Sequence, residues 1–296
     1  MKTGIKWGGI ALVVILGLVM VVLGITYGAS SSRFNAMYDL QVTVPSILTD
    51  EAAVERGKHI AATRGCTDCH GEDLAGMLLI DSGAVMGVIY ASNLTPAGLP
   101  DYTDEDWVLA IQHGIGQTKQ PIMIMPSEEY YFFGDEDLGN LIAYLKQLPP
   151  IGEPTPVRSI GLLSRVLLMA GELQLSAEII DHTATRPDVP PPGATVEYGQ
   201  YLATLCTGCH GHGYSGGPIP ASDPEWPEGA NLTLHETGLG DWTEADFFSA
   251  LRDGTRPDGS TINPVMPRTI GGMSDEELQA LWLFFQSLPP TAYGNR

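Results

Sequence analysis

The four cysteines of this 296-residue chain stand in two matching settings. One setting runs from Cys66 through Cys69 to His70, and the other from Cys206 through Cys209 to His210. Two thiols three residues apart beside an imidazole suit three kinds of chemistry: thiol–disulfide exchange, metal binding through sulfur and nitrogen, and covalent attachment of a haem. Because the two motifs use every cysteine, none is left for a disulfide scaffold.

The three chemistries make different demands on the surrounding sequence. A thioredoxin-like redox motif needs a strand followed by a helix, which neither motif has. Two zinc sites would each lack a fourth ligand of the usual kinds. Haem attachment needs only what each motif provides, since the thiols add to the two vinyl groups of a porphyrin and the histidine binds its iron. We therefore predict two covalent haems c, one on Cys66, Cys69 and His70 and one on Cys206, Cys209 and His210. The redox and zinc alternatives stay open at this point.

The surroundings of the two motifs also recur, about 140 residues apart. The repeated segments are Asn93-Leu94-Thr95 with Asn231-Leu232-Thr233, Met125-Pro126 with Met266-Pro267, and Leu148-Pro149-Pro150 with Leu288-Pro289-Pro290. We predict two tandem domains, copy one over residues 50–150 and copy two over residues 195–296. Residues 1–30 precede them, and a linker over residues 151–194 joins them.

The repeat also selects a second iron ligand for each haem. A methionine thioether opposite histidine gives a low-spin site of raised potential, suited to electron transfer. Of the ten methionines, only Met125 and Met266 have a counterpart in the other copy, and we predict them as ligands. In copy one, ligation by a second histidine, His59 or His113, is the alternative.

Each copy is predicted to be a small helical unit. The first helices cover residues 50–64 and 195–205, just before the cysteines. The middle helices begin at Thr103 and Thr243, each followed three residues later by an acid as in a capping box. The last helices bury a face spaced i, i+3, i+4, i+7 and end at a Pro-Pro pair. No strand is predicted, so the expected fold class is all-α.

Residues 7–27 carry no charge, and as a helix they would be about 31 Å long, against roughly 30 Å for a hydrocarbon core. We predict an uncleaved, single-pass anchor, with Lys2 and Lys6 on the cytoplasmic side and both copies outside. Haem attachment on the outer side of the bacterial cytoplasmic membrane, in the periplasm, requires the same orientation. Gly28-Ala29-Ser30 leaves a cleaved signal peptide as the alternative.

In the linker, residues 157–181 are predicted to be helical. Arg158, Arg165 and Glu172 lie seven apart on one narrow polar stripe, with apolar residues elsewhere. Two placements fit this pattern. The helix either connects and contacts both domains or lies on the membrane surface, although two basic residues are few for the second.

The chain carries 15 basic and 35 acidic residues, a net charge of −20, which excludes binding to a phosphate backbone. Acids cluster around residues 101–106 and 275–277. Such clusters are usually solvated faces. If they do more, the partner is a basic soluble redox carrier whose association slows with salt.

These motifs resemble a known family. Each copy resembles a class I cytochrome c domain, in which the first and last helices cross at a glycine–aromatic contact; Gly57 with Tyr144 and Gly199 with Phe284 occupy the corresponding places. The segments 231–233, 238–242, 246–247, 252–254 and 266–267 look like the multihaem cytochrome subunits of membrane-bound dehydrogenases. Those subunits commonly carry a third haem, which has no motif here.

The resemblance and the six-coordinate sites imply electron transfer without catalysis by this chain itself. The expected partners are a membrane dehydrogenase, a quinol-oxidising complex, an oxidase or a photosynthetic reaction centre. A dihaem peroxidase also carries two such motifs on one chain, but it needs one haem with an open site. The Met-Pro pair in both copies argues against that alternative.

Overall fold

The computed structural model describes residues 2–220, 222 and 225–295, with side chains from Trp7 onward. Helix α1 (Lys2–Phe34) opens it. Within the described part, one helical stretch, Trp7–Phe34, is long and apolar enough to cross a membrane. The side chains of Lys2 and Lys6, on which the predicted orientation rests, lie outside the described residues.

The predicted helices of copy one are present. Asp50 accepts a hydrogen bond from the Ala53 amide and so begins α2. Thr103 and Asp106 form the predicted capping box. The helices are α2 (Glu51–Thr63), α3 (Cys66–His70), α4 (Gly83–Met86), α5 (Asp104–His113), α6 (Ser127–Tyr130) and α7 (Asp135–Leu145).

Copy two has the same order of principal helices. Thr243 and Asp246 repeat the capping box, and Ser274 forms another with Glu277. Short 3₁₀ turns cover Thr204–Cys206 and Thr269–Gly272. The α-helices of this region are α10 (Val196–Ala203), α11 (Thr207–His210), α12 (Glu244–Arg252) and α13 (Asp275–Ser287).

The first and last helices of each copy cross at a glycine. A Cβ on Gly57 would overlap the carbonyl of Asn140 and crowd Tyr144, and a Cβ on Gly199 would overlap the carbonyl of Ala280 and crowd Phe284. Backbone contact at these two points lets α2 pack closely on α7 and α10 on α13. The resemblance places the crossings at the same residues.

The all-α prediction was wrong in one place. Strand β1 (Met77–Asp81) pairs antiparallel with β2 (Gly87–Ala91), and β2 pairs with β3 (Ser159–Ile160) in the order β1-β2-β3. β2 alternates buried and half-buried residues, whereas most of β1 is exposed. The β-branched and aromatic residues Val88, Ile89 and Tyr90 were the available signal.

The predicted linker helix is also wrong in part. It is split into α8 (Leu162–Ala170) and α9 (Ser176–Ile179), and its first residues form β3. Gly171 ends α8 with φ +83°, the left-handed conformation that glycine adopts without strain. α8 packs against α1 and α4, and α9 packs against α6. The linker therefore lies along copy one.

Each copy has its own apolar core, formed mainly by its first, middle and last helices. A third cluster joins the end of α1 to the sheet, to the loop before α6 and to the linker. Its buried members are Phe34, Ile89, Met123, Leu168 and Leu175.

Candidate haem sites

The two motif histidines are held in the same way. His70 Nδ1 lies 2.7 Å from the carbonyl oxygen of Ser92, and His210 Nδ1 lies 2.7 Å from that of Ala230. A carbonyl only accepts, so Nδ1 carries the proton and donates it. In this tautomer Nε2 bears the lone pair, as haem iron requires of an axial histidine. Burial also lowers the pKa of His70, which favours the neutral imidazole.

The repeated Asn-Leu-Thr segments support these carbonyls. Ser92 directly precedes Asn93, and Ala230 directly precedes Asn231. Asn93 Oδ1 accepts from Thr95 N at 2.9 Å, and its Nδ2 donates to Ile151 O at 2.8 Å. Asn231 makes the equivalent bonds to Thr233 and Thr291 at 2.9 and 2.8 Å. The segment thus ties the carbonyl beside each histidine to the chain that follows the last helix.

The cysteines lack the electrostatic environment of exchange-active thiols. Burial raises the pKa of Cys66 and of Cys206 to about 12, and it raises that of Cys69 as well. A thiol that takes part in disulfide exchange has a lowered pKa. Within the described chain, no group of three or more metal-binding side chains is assembled. The raised pKa values therefore argue against thiol–disulfide exchange at either motif.

The two predicted methionine ligands lie in different surroundings. Met125 packs against the core of copy one, against which Cys66 also packs. Its carbonyl accepts from Ser176 Oγ at 2.7 Å, so α9 fixes the loop that carries it. Met266 is half-buried, and in the described part of copy two it is Met273 that joins the core. Ligation by Met125 and Met266 stays a prediction.

The two alternative histidine ligands of copy one have other partners. His59 Nε2 lies 2.7 Å from Glu277 Oε2 on α13. His113 Nδ1 lies 2.9 Å from His182 Nδ1. Burial, His182 and Arg186 lower the pKa of His113 to about 4, so this imidazole is neutral at pH 7.

The motifs also touch the opposite copy. Asp68, inside the first motif, accepts a hydrogen bond from Thr269 Oγ1 at 2.6 Å, three residues after Met266. Gly208, inside the second motif, donates its amide to the Glu129 carboxylate, four residues after Met125. The contacts are reciprocal, so each motif lies beside the methionine loop of the other copy. Sequence reasoning missed these contacts because the residues involved do not recur.

Arg64 lies between the two motifs. Its side chain is buried, with the guanidinium carbon 6.0 Å from the Phe133 ring centroid and 5.5 Å from that of Tyr201. Its Nη1 and Nη2 have no hydrogen-bond partner among the described residues. The positive charge of Arg64 acts on both motifs, because it opposes the rise in the pKa of Cys66 and of Cys206.

The sequence is similar to those of known cytochrome c proteins. Residues 54–149 match the cytochrome c family model. The chain is 30% identical over 306 positions to the cytochrome c subunit of a quinone alcohol dehydrogenase from Komagataeibacter europaeus, covering 90% of this chain and 62% of the relative. It is 26% identical to the gluconate 2-dehydrogenase cytochrome c subunit of Pantoea cypripedii and 25% identical to the fructose dehydrogenase cytochrome subunit of Gluconobacter japonicus. These alignments cover 81% of this chain each, and 60% and 53% of the relatives.

The family match and the histidine geometry agree for copy one. The matched residues contain Cys66, Cys69, His70 and Met125, and they begin in α2 and end after α7. Residues 54–149 therefore form a cytochrome c domain, which implies covalently bound haem c, and the chain is homologous to the cytochrome c subunits of dehydrogenases.

Proposed function

We propose that the chain is a dihaem electron-transfer protein, with one haem c on each copy. Cys66, Cys69 and His70 would hold the first, and Cys206, Cys209 and His210 the second. The observation that carries the proposal is the shared histidine geometry: in both copies Nδ1 donates to the carbonyl just before an Asn-Leu-Thr segment. In this tautomer Nε2 carries the lone pair in both copies, as an axial haem ligand requires.

The cysteines, histidines and methionines of the two motifs and loops would each have a separate role. A bound haem c supplies a one-electron iron couple. The cysteine thioethers retain the haem, and the carbonyl bonds at Nδ1 orient each imidazole and raise the basicity of its Nε2. Met125 and Met266 would complete six-coordinate sites of raised potential. Such sites leave no position for a substrate, so the chain has electron transfer and no catalysis of its own.

The proposed setting is the outer face of the bacterial cytoplasmic membrane, with α1 as an uncleaved anchor. The apolar length of α1 and the location of haem attachment support this placement. The partner proposed first is a membrane dehydrogenase, because the relatives are cytochrome subunits of dehydrogenases. The chain would exchange electrons with a second redox partner as well. That partner is a quinol-oxidising complex, an oxidase, a reaction centre or a basic soluble redox carrier.

The haem count tests the proposal. The full chain is produced in a bacterium that attaches haem c, and haem per chain is measured from the pyridine haemochrome spectrum and the intact mass. We expect two haems in the parent chain. The paired variants Cys66→Ala with Cys69→Ala and Cys206→Ala with Cys209→Ala should each keep one. A parent chain with one haem, or with zinc in copy two, would overturn the dihaem assignment.

The ferric spectrum separates electron transfer from the peroxidase alternative. Two low-spin haems without peroxide turnover are the expected result. A high-spin haem that turns over peroxide would favour a dihaem peroxidase instead.

A further inference from the structure

One face of α8 is apolar and exposed. Leu162, Leu163, Val166 and Met169 are 46, 41, 41 and 41% exposed, and Ala170 beside them is exposed too. At about 100° per residue these five positions fall within one sector of roughly 120°. The opposite face, with Ser164 and Leu168, is buried. α8 therefore has one buried face and a second, apolar face toward the outside.

α8 is held at the point where the apolar part of α1 ends. The Arg165 guanidinium carbon lies 4.1 Å from the ring centroid of Tyr27, the last residue of the predicted apolar span. Arg165 Nη1 donates to Ser30 Oγ and Ser31 Oγ, both at 2.9 Å. From residue 27 to residue 31 a helix rises about 6 Å. The contacts thus hold α8 within about one helical turn of the end of the span.

Exposed apolar residues also stand on the segments next to α8 in space or in the chain. Ser164 Oγ donates to Met86 O at 2.7 Å, which fixes α8 to α4. On α4, Val85 is 59% exposed, and Val157 just before β3 is 95% exposed.

The charge pattern changes in the same region. The chain carries 35 acids, yet none precedes Asp39, none stands between Asp81 and Asp101, and none stands between Glu153 and Glu172. These three acid-free segments contain α1, α4 and α8, which pack together. An anionic lipid surface repels carboxylates, so a membrane-facing region would be expected to lack them.

We propose that the exposed face of α8, with Val85 and Val157 beside it, lies in the lipid headgroup layer next to α1. A short helix with an apolar face immerses that face about 5–10 Å into the headgroup and acyl boundary. Arg165 is then placed to keep its charge near the headgroups while its stem packs on Tyr27. The inference rests on the proposed anchor, and it adds a second contact that would fix the orientation of copy one on the membrane.

Photocrosslinking in lipid tests this contact. The full haem-loaded chain is reconstituted in nanodiscs of phosphatidylethanolamine and phosphatidylglycerol, with p-benzoylphenylalanine replacing one residue at a time. The variants are Val166→p-benzoylphenylalanine on α8, Val196→p-benzoylphenylalanine on α10 as a matched exposed valine, and Leu16→p-benzoylphenylalanine within α1. After irradiation, lipid adducts are counted by mass spectrometry.

We expect lipid adducts at positions 16 and 166, several-fold above the yield at position 196. Adducts at 16 with none above the control level at 166 would overturn the α8 contact and leave the anchor intact. No adduct at 16 would overturn the anchor and this inference together. Crosslinks from 166 to a second copy or to a partner subunit would show that protein covers the face, which also overturns it. Haem content of the same sample tests the proposed electron-transfer function separately.

Discussion

At the scale of single residues, Arg64 is the most unusual feature of the described structure. A buried guanidinium normally ion-pairs, and this one is held by aromatic rings between the two motifs. Reduction removes one positive charge from a haem, so a nearby fixed positive charge favours the reduced form. Arg64 is placed to raise the potentials of both proposed haems.

Arg64→Gln should therefore lower both midpoint potentials. For a charge about 10 Å from an iron, at an effective dielectric constant of about 20, the interaction is roughly 1–2 kcal/mol, or about 40–90 mV for a one-electron couple. A spectroelectrochemical titration measures the shift. Arg64→Lys keeps the charge and should lie near the parent. Equal shifts in Lys and Gln would mean that packing, and not charge, is responsible.

The sixth ligand of copy one gives a second residue-scale prediction. Met125→His should lower the potential of the first haem, because imidazole stabilises ferric iron more than a thioether does. The same titration measures it. Met123→Leu is the matched control, since Met123 is buried in the third cluster and should leave the potential near that of the parent. An unchanged potential in Met125→His would show that Met125 is not the ligand.

Sequence reasoning proposes the side chains of the candidate sites, but it did not predict their backbone partners. Cysteine and histidine identity carries the haem chemistry, so the motifs could be read directly. The acceptors of His70 and His210 are the backbone carbonyls of Ser92 and Ala230, two residues of different type. In the sequence, only their position before the repeated Asn-Leu-Thr segment could have identified them.

At the scale of elements, the long helices followed from local signals. Caps and apolar spacing lie within one segment. The predicted bounds of α2 are within one residue of the observed ones, and α5 and α12 begin one residue after the predicted Thr103 and Thr243. The sheet as a whole was harder to predict. β2 carries a local signal in Val88, Ile89 and Tyr90, but β1 is mostly exposed and β3 lies beyond copy one, so the pairing of the three strands is not visible in any one segment.

The helix crossings give a prediction at this scale. Gly57→Ala should push α2 from α7, because the added Cβ meets the rigid carbonyl of Asn140. The cost is about 1–3 kcal/mol of overpacking, offset only slightly by alanine's better helix propensity. Thermal unfolding followed by circular dichroism measures it.

Gly213→Ala serves as the control for the Gly57 variant, since a Cβ there meets its neighbours only at 3.4 Å or more. Gly199→Ala should reproduce the loss in copy two. If Gly57→Ala unfolded at the parent's temperature, the close crossing would not limit stability.

At the scale of the whole molecule, fewer of the clustered acids are available to a partner than the sequence suggested. Asp106 and Glu277 are buried and belong to capping boxes. Asp104 pairs with Lys146 and Asp275 with Arg252. Part of each cluster thus serves the fold, which reduces the surface left to attract a basic redox carrier.

Glu277 instead joins the two copies. It accepts from Arg56 Nη1 at 3.1 Å and from His59 Nε2 at 2.7 Å, both on α2. Burial disfavours its charge, but hydrogen bonds from His59, the Ser274 amide and Arg56 outweigh burial and lower the pKa to about 2. The carboxylate is therefore ionised in the folded protein at any ordinary pH.

This lowered pKa fixes the sign of a pH dependence. A carboxyl whose pKa falls on folding stabilises the protein above its unfolded pKa, here 4.5, and the gain is lost as pH falls toward 2. Glu277→Gln should cost about 2–3 kcal/mol at pH 7 through its lost charged hydrogen bonds, and the deficit should shrink between pH 4.5 and 2. Thermal unfolding of the full chain across that range measures both. Glu276→Gln, a neighbouring exposed acid, should stay close to the parent throughout. A deficit at Glu277→Gln that is constant with pH would mean that the carboxylate charge does not hold α13 to α2.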